Sequence, residues 1–89
     1  MSDDAKRTID ELREKIDSID RKLVEKLNER AELALKIRVL KSENGLPLYD
    51  PVREEEIFQK ITTLNNGPLY DDDLRGIYEI ILQTMKSLD

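Results

Sequence analysis

The chain contains no cysteine and no histidine, and only 4% of its 89 residues are aromatic. Without cysteine there are no disulfides, and without either residue the usual zinc sites and the Cys/His or Ser/His/Asp nucleophile systems are excluded. Acid–base catalysis near neutral pH would need a strongly shifted carboxylate or lysine. An enzyme made from this chain is therefore expected to work without a nucleophile, a metal ion or a cofactor.

The sequence also lacks long apolar runs and an excess of positive charge. No run approaches the roughly 20 apolar residues that cross a bilayer, and the N-terminal segment is polar and acidic, unlike a signal peptide. The net charge is −5, from 20 acidic and 15 basic residues, which argues against a nucleic-acid partner. We expect a cytoplasmic protein that binds neither membranes nor nucleic acid.

The first half of the chain has the apolar spacing of an amphipathic helix. The apolar positions are Ile9, Leu12, Ile16, Ile19, Leu23, Leu27, Leu33, Ile37 and Leu40. They predict a helix of about 36 residues from Thr8 to Glu43, begun by a capping box of Thr8 and Glu11, with Ser2 as an alternative earlier start. Asn44-Gly45 ends it.

Two shorter helices are predicted after this one. Asp50-Pro51 provides an N-cap followed by proline at the first helical position. The segment from Asn65 to Pro68 ends the second helix, and the third begins within Asp71–Asp73, where acidic residues suit the helix dipole. Strand-like alternation and repeats are missing, so the sequence predicts one all-α domain over residues 1–89.

The length of the first helix predicts that the chain forms a dimer with a second copy of itself. About 36 residues at ~1.5 Å each make about 54 Å, whereas a compact globule of this size is only about 30 Å across. A chain with 38% hydrophobic residues also buries little apolar surface alone. We expect the same stripe of a second chain to cover the overhang; the alternative is a bent or frayed first helix.

Two cations of the first helix occupy positions that a heptad repeat assigns to the apolar contact face, namely Lys26 and Arg30. A cation there is costly unless it meets an anion, and the alternatives are a snorkelling side chain or an ion pair with a neighbouring helix. Arg30 and Lys41 share one helix face about 16 Å apart, so a small anion could lie between them. Arg13 is about 25 Å from Arg30 along the same helix, so the two cannot share a site within one chain. In an antiparallel dimer, the Arg13 side chain of the partner chain could come close to Arg30.

Three segments and one lysine carry a resemblance to a known family. The segments are LREKIDSIDRKLVEKLNERAELALKI, PLYDPVREEEI and IYEIILQTMKSLD, with Lys41 following the first. Along almost its whole length the chain resembles the AroQ-type chorismate mutases. The resemblance implies three helices in an intertwined homodimer with two sites shared between chains. It also implies a cytoplasmic enzyme of aromatic amino-acid biosynthesis that rearranges chorismate to prephenate.

The resemblance further implies how cations hold the substrate, a dianion. Arg30, with Arg13 of the partner chain, grips the carboxylates, and Lys41 contacts the ether oxygen. A [3,3] rearrangement needs its substrate held in the reactive conformer and needs the charge that builds on the ether oxygen stabilised. Arginine forks bind carboxylates bidentately, so the residue types fit a reaction without nucleophile, metal or cofactor.

The start of the second helix and the end of the third complete the implied site. Asp50 and Glu54 fall on the acidic positions that hold the ring hydroxyl, with the backbone of Asp50 as one route, and Arg53 is a further arginine of the pattern. In isolation Asp50 is more readily a helix cap. The match weakens at Met85, where the family has a small polar residue, and at Asp89, where glutamine or glutamate meets the ether oxygen. To help there, Asp89 would have to be protonated, which predicts activity that falls as pH rises through neutrality.

Three other interpretations stay open. An isochorismate-pyruvate lyase of the same fold would bind a similar dianion, although the Asp50–Glu54 pattern favours the mutase. The chain could also be fused to, or docked on, another shikimate-pathway enzyme. A non-catalytic helical interaction module would tolerate leucine at Arg30 and Lys41 without loss of function.

Overall fold

The computed structural model describes residues 2–88, which form three α-helices and no strand. In chain order these are α1 (Asp3–Glu43), α2 (Pro51–Leu64) and α3 (Asp71–Lys86). The predicted all-α class and the three-helix order are confirmed. The contacts divide the chain into two units, Met1–Leu33 and Ala34–Asp89, which we describe separately. The single domain over residues 1–89 stays a prediction.

The first helix begins earlier than the predicted capping box. The Ser2 hydroxyl oxygen accepts a hydrogen bond of 3.2 Å from the Ala5 amide, so Ser2 caps the helix, as the alternative start predicted. The prediction that Thr8 and Glu11 form the cap was wrong. Thr8 already lies inside the helix, where its hydroxyl donates to the carbonyl oxygen of Asp4 at 2.9 Å.

The apolar stripe of the first unit faces water in a single copy of the chain. Four of its members are between 51% and 62% exposed: Leu12, Ile16, Ile19 and Leu23. No residue of α1 is buried. The helix that the apolar spacing predicts is present, but its apolar face remains largely exposed in a single chain.

The end of α1 opens the second unit and has the hydrogen bonds of a Schellman motif. The Leu46 amide donates to the carbonyl oxygen of Lys41 at 2.8 Å, and the Gly45 amide donates to that of Ser42 at 3.4 Å. Gly45 has a φ of +64°, a left-handed conformation that favours glycine. The predicted stop at Asn44-Gly45 is confirmed, and the motif fixes the backbone of Lys41.

Both shorter helices begin where the sequence predicts. Asp50 caps α2, since its Oδ1 accepts from the Arg53 amide at 3.0 Å, and Pro51 takes the first turn. Asn65 follows the last residue of α2, and its Nδ2 donates to Asp71 Oδ1 at 2.8 Å. This bond joins the end of α2 to the start of α3 and fixes the short loop between them.

The two shorter helices pack on each other around a small core. Ile61 of α2 and Leu82 and Met85 of α3 are the buried hydrophobic residues, each 8% exposed. At the rim, the Arg75 guanidinium lies 4.4 Å from the Phe58 ring centroid, a cation–π contact. The α2–α3 pair is therefore the best-packed part of the described chain.

The C-terminal segment of α1 contributes one further link within this unit. Arg38 Nη2 donates to the carbonyl oxygens of Met85 at 3.0 Å and Lys86 at 2.7 Å. Arg38 Nη1 donates to the carbonyl oxygen of Leu88. Arg38 thus adds a donor to carbonyl oxygens in the last turn of α3 and just beyond it, where the Met85 carbonyl otherwise accepts a long bond of 3.4 Å from the Leu88 amide. Within residues 2–88, no helix has the length and apolar character that a membrane span requires.

Candidate active site

The predicted site residues divide between the two units. The first unit holds Arg13 and Arg30, and the second holds Lys41, Asp50, Arg53 and Glu54.

Arg13 is an exposed residue with only a loose ion pair. Its Nη1 lies 3.9 Å from Asp10 Oδ1 within the same helix, and the two side chains are 73% and 60% exposed. An ion pair of this length and exposure contributes little to stability. The guanidinium therefore loses little when it turns to another anion.

The two cations on the apolar contact face of α1 differ in their surroundings. Lys26 is exposed, and its Nζ lies 2.9 Å from Glu29 Oε2. The hydrogen bond to Glu29 and its negative charge raise the pKa of Lys26 above the ordinary value of 10.5. Arg30 is half-buried and has no ion pair with any other residue between positions 2 and 88. Among residues 2–88 the alternative of an ion pair with a neighbouring helix describes neither cation, because Lys26 pairs within its own helix and Arg30 has no ion pair.

Lys41 is a half-buried cation in the last turn of α1. Its carbonyl oxygen is bound by Leu46, so the backbone from which the side chain extends is fixed. Its ammonium makes no ion pair with the part of the chain that the structure describes. Lys41 is thus available to an anionic group from outside residues 2–88.

The first turn of α2 brings Asp50, Arg53 and Glu54 together. Asp50 Oδ1 is occupied by the Arg53 amide, so its side chain acts as the helix cap. The Arg53 guanidinium lies 3.6 Å from Glu56 Oε2 in an exposed i,i+3 pair. The carbonyl oxygen of Asp50 also accepts a hydrogen bond of 3.2 Å from the Glu54 amide, whereas Oδ2 has no hydrogen bond within residues 2–88, so the side chain and the backbone are both routes to a ligand.

Glu54 is the least exposed acid of this turn and has a partner that sequence reasoning missed. Its Oε1 forms an ion pair with Lys86 Nζ from the last turn of α3, and its side chain is only 23% exposed. Lys86 also lies over the Tyr49 ring, 5.5 Å from the centroid. Nothing local in the sequence identifies this pair, because it depends on how α2 packs against α3.

The structure describes only one of the two positions at which the family pattern is not matched, Met85 and Asp89. Met85 is buried in the α2–α3 core at 8% exposure, so its thioether has a packing role. Asp89 lies outside the described residues, and the pH dependence expected from it stays a prediction. Among residues 2–88 there is no cluster of three or more acidic side chains that could hold a metal ion.

Between positions 2 and 88, these observations define an all-helical protein with a very long first helix and two half-buried cations, Arg30 and Lys41, that have no ion pair. Residues 12–89 match the chorismate mutase type II family, and the chain belongs to it. The resemblance seen in the sequence is confirmed.

Proteins similar to this chain include fused and separate enzymes. It is 43% identical over 83 residues to the bifunctional chorismate mutase/prephenate dehydratase of Aquifex aeolicus, covering 89% of this chain but 23% of that protein. It is 34% identical over 79 residues to the chorismate mutase of Methanocaldococcus jannaschii, covering 88% and 80% of the two chains. The form II structure of chorismate mutase from Thermus thermophilus superposes with a TM-score of 0.89 at 37% identity, covering 91% and 92%. The chain thus spans less than a quarter of the bifunctional relative and most of the other two.

Proposed function

We propose that this chain is a chorismate mutase, which isomerises chorismate to prephenate by an intramolecular [3,3] rearrangement. Its membership of the chorismate mutase type II family supports the reaction. The observation that carries the proposal for this chain is Arg30, a half-buried guanidinium on an apolar face with no ion-pair partner among residues 2–88. A half-buried cation of this kind is costly by itself and is stabilised by a bound anion.

In the proposed mechanism the protein acts by position and charge alone. Arg30 and Arg13 bind the two carboxylates of the substrate, which holds the flexible molecule in the conformer whose reacting carbons are close. Lys41 donates to the ether oxygen, where negative charge builds as the C–O bond breaks and the new C–C bond forms. No bond to the protein forms, so a chain without cysteine or histidine is sufficient.

We propose that the ring hydroxyl is held at the start of α2. The ionised carboxylate of Glu54 is an acceptor, and the hydroxyl of the substrate is the donor that it needs. Asp50 contributes through its backbone, while its side chain caps the helix. Arg53 adds positive charge beside them, in keeping with a doubly negative substrate.

The proposed enzyme is a homodimer whose sites use residues of both chains. The exposed stripe of α1 supports this, because fully burying one such aliphatic side chain is worth about 1.5 to 3 kcal/mol. A second copy provides a surface of the same pattern, and an antiparallel arrangement brings its Arg13 towards Arg30. We propose that the enzyme acts in aromatic amino-acid biosynthesis in the cytoplasm, alone or joined to a further enzyme of that pathway.

The decisive experiment is a spectrophotometric assay of chorismate disappearance with the purified chain and with Arg30→Ala. Loss of one such electrostatic contact lowers kcat by about 100- to 1,000-fold in known enzymes. Arg21→Ala is the matched control, because Arg21 is an exposed arginine of the same helix and is expected to retain full activity. A wild-type chain that leaves chorismate unchanged but releases pyruvate from isochorismate would identify the lyase instead. A chain inactive on both substrates would favour the interaction module.

A further inference from the structure

The last turn of α3 and the first turn of α2 are joined by the ion pair of Lys86 and Glu54. Glu54 is the more enclosed partner, since its side chain is 23% exposed and that of Lys86 is 56% exposed. We propose that Lys86 is a positioning residue that orients the Glu54 carboxylate towards the ring hydroxyl of the substrate. This inference rests on the proposed function.

The atoms of the pair explain how the orientation arises. Lys86 Nζ is bound to Glu54 Oε1, and Glu54 Oε2 has no ion pair or side-chain hydrogen bond within residues 2–88. The terminal torsion of a glutamate side chain is broad, so an untethered carboxylate would sample many orientations. Because the ammonium holds Oε1, Oε2 is the oxygen that remains to accept a hydrogen bond from the ring hydroxyl.

Lys86 is itself fixed by two neighbours, which makes it a suitable support. Its carbonyl oxygen accepts a hydrogen bond of 2.7 Å from Arg38, so the turn from which the side chain extends is tied to α1. Its ammonium lies over the Tyr49 ring, 5.5 Å from the centroid. A side chain that is ordered before the substrate binds loses less entropy when the complex forms.

The test compares Lys86→Met and Lys86→Arg with the wild-type chain, using chorismate and measuring kcat and KM. Lys86→Met keeps most of the length of the side chain and removes the charge. It is expected to lower kcat/KM about three- to tenfold, the size that loss of one partly exposed charge-assisted hydrogen bond produces. Lys86→Arg is expected to restore most of the loss, because it returns a cation to the pair. The control is Lys60→Met on α2, where the lysine is exposed and outside the proposed site.

A double-mutant cycle separates positioning from a general structural role. In a Glu54→Gln background, adding Lys86→Met should change kcat/KM by less than about twofold, because the carboxylate that Lys86 orients is already gone. The loss should also disappear with a substrate analogue whose ring hydroxyl is replaced by hydrogen. If Lys86 were needed only for folding, Lys86→Met would lower the melting temperature and would reduce kcat/KM equally for chorismate and for the analogue. That result would overturn the inference. So would losses that simply add in the double variant, because Lys86 would then not act through Glu54.

The outcomes distinguish this inference from the proposed function. A wild-type chain without activity on chorismate defeats the proposed function and this inference with it. An active wild-type chain whose Lys86→Met variant keeps full kcat/KM overturns the inference alone.

Discussion

Arg38 closes the C-terminal end of α3 by donating a hydrogen bond of 3.0 Å from its Nη2 to the carbonyl oxygen of Met85. The last carbonyl groups of a helix have no partner within it, and the partial negative charge there favours a cation. Arg38, from the C-terminal segment of α1, provides both a hydrogen-bond donor and a positive charge at this end of α3. It therefore fixes the turn that carries both a core residue and Lys86.

We expect Arg38→Met to lower the free energy of unfolding by about 1 to 3 kcal/mol. This is the usual cost of removing a charged partner from partly buried polar groups. Denaturant unfolding at a fixed protein concentration measures it. Lys36→Met, a change at a neighbouring exposed lysine of α1, is the control and should stay within about 0.5 kcal/mol of wild type. Equal unfolding midpoints for Arg38→Met and the control would contradict the role of Arg38.

We expect opposite functional results from Lys26→Leu and Arg30→Leu, although both cations occupy the apolar contact face of α1. Lys26 has its own partner in Glu29, and its replacement should leave kcat/KM within about twofold of wild type. The pKa of Lys26 is raised above 10.5, so the ion pair with Glu29 is fully charged below pH 10.5 and is lost only at higher pH. An assay at neutral pH therefore does not titrate Lys26. Arg30→Leu should reduce kcat/KM by at least about 100-fold.

The stability and the activity of Arg30→Leu, taken together, separate an enzyme from an interaction module. Arg30→Leu should unfold at an equal or higher temperature than wild type, because a costly charge leaves an apolar face. Thermal unfolding followed by circular dichroism provides this measurement. A variant that is more stable and still fully active would refute a site at Arg30.

Mixing two inactive variants tests whether the sites are shared between chains. Arg13→Ala and Arg30→Ala should each be nearly inactive alone. After joint unfolding and refolding of equal amounts, half of the dimers should be mixed, and each mixed dimer has one intact site and one site lacking both arginines. The pool should then recover about one quarter of wild-type activity. If both arginines of a site came from one chain, the mixture would stay inactive, since every site would lack one of them.

The pH dependence expected from Asp89 is tested by replacing its carboxyl group. If a protonated Asp89 assists the ether oxygen, the rate should fall as pH rises through neutrality. Asp89→Asn should keep a donor at every pH and flatten the profile of kcat/KM against pH. A flat profile in the wild-type chain, from acid to alkaline conditions, would remove this role.

The helices could be predicted from the sequence because local signals determine their bounds. Asp50-Pro51 started α2 and Asn44-Gly45 ended α1 at the expected residues, since a cap and a left-handed glycine act within one turn. The sequence contains two candidate starts for α1, because both Ser2 and Thr8 have the chemistry of a cap. Helical propensity continues upstream of Thr8, and the serine nearest the N-terminus became the cap.

The candidate site was less predictable because part of it depends on packing between helices. The spacing along one helix singled out Arg30, which the structure leaves half-buried without an ion pair among residues 2–88. The partner of Glu54 lies on a different helix, and no periodicity connects it with Lys86. Arg38 was missed for the same reason, since only the position of the α3 terminus reveals what its guanidinium binds.

Substitutions at Asp50 separate its role as a helix cap from a direct role in binding. Asp50→Ala should lower the free energy of unfolding by about 1 kcal/mol, because the Arg53 amide loses its acceptor. Asp50→Ser restores an acceptor oxygen, and it should recover both the stability and most of kcat/KM if Asp50 meets the substrate through its backbone. Denaturant unfolding and the chorismate assay on the same preparations measure the two effects. The contrary outcome is an Asp50→Ser variant that is stable but has a kcat/KM as low as that of Asp50→Ala. The cap would then be intact while activity was lost, which would show that the carboxylate itself binds the substrate.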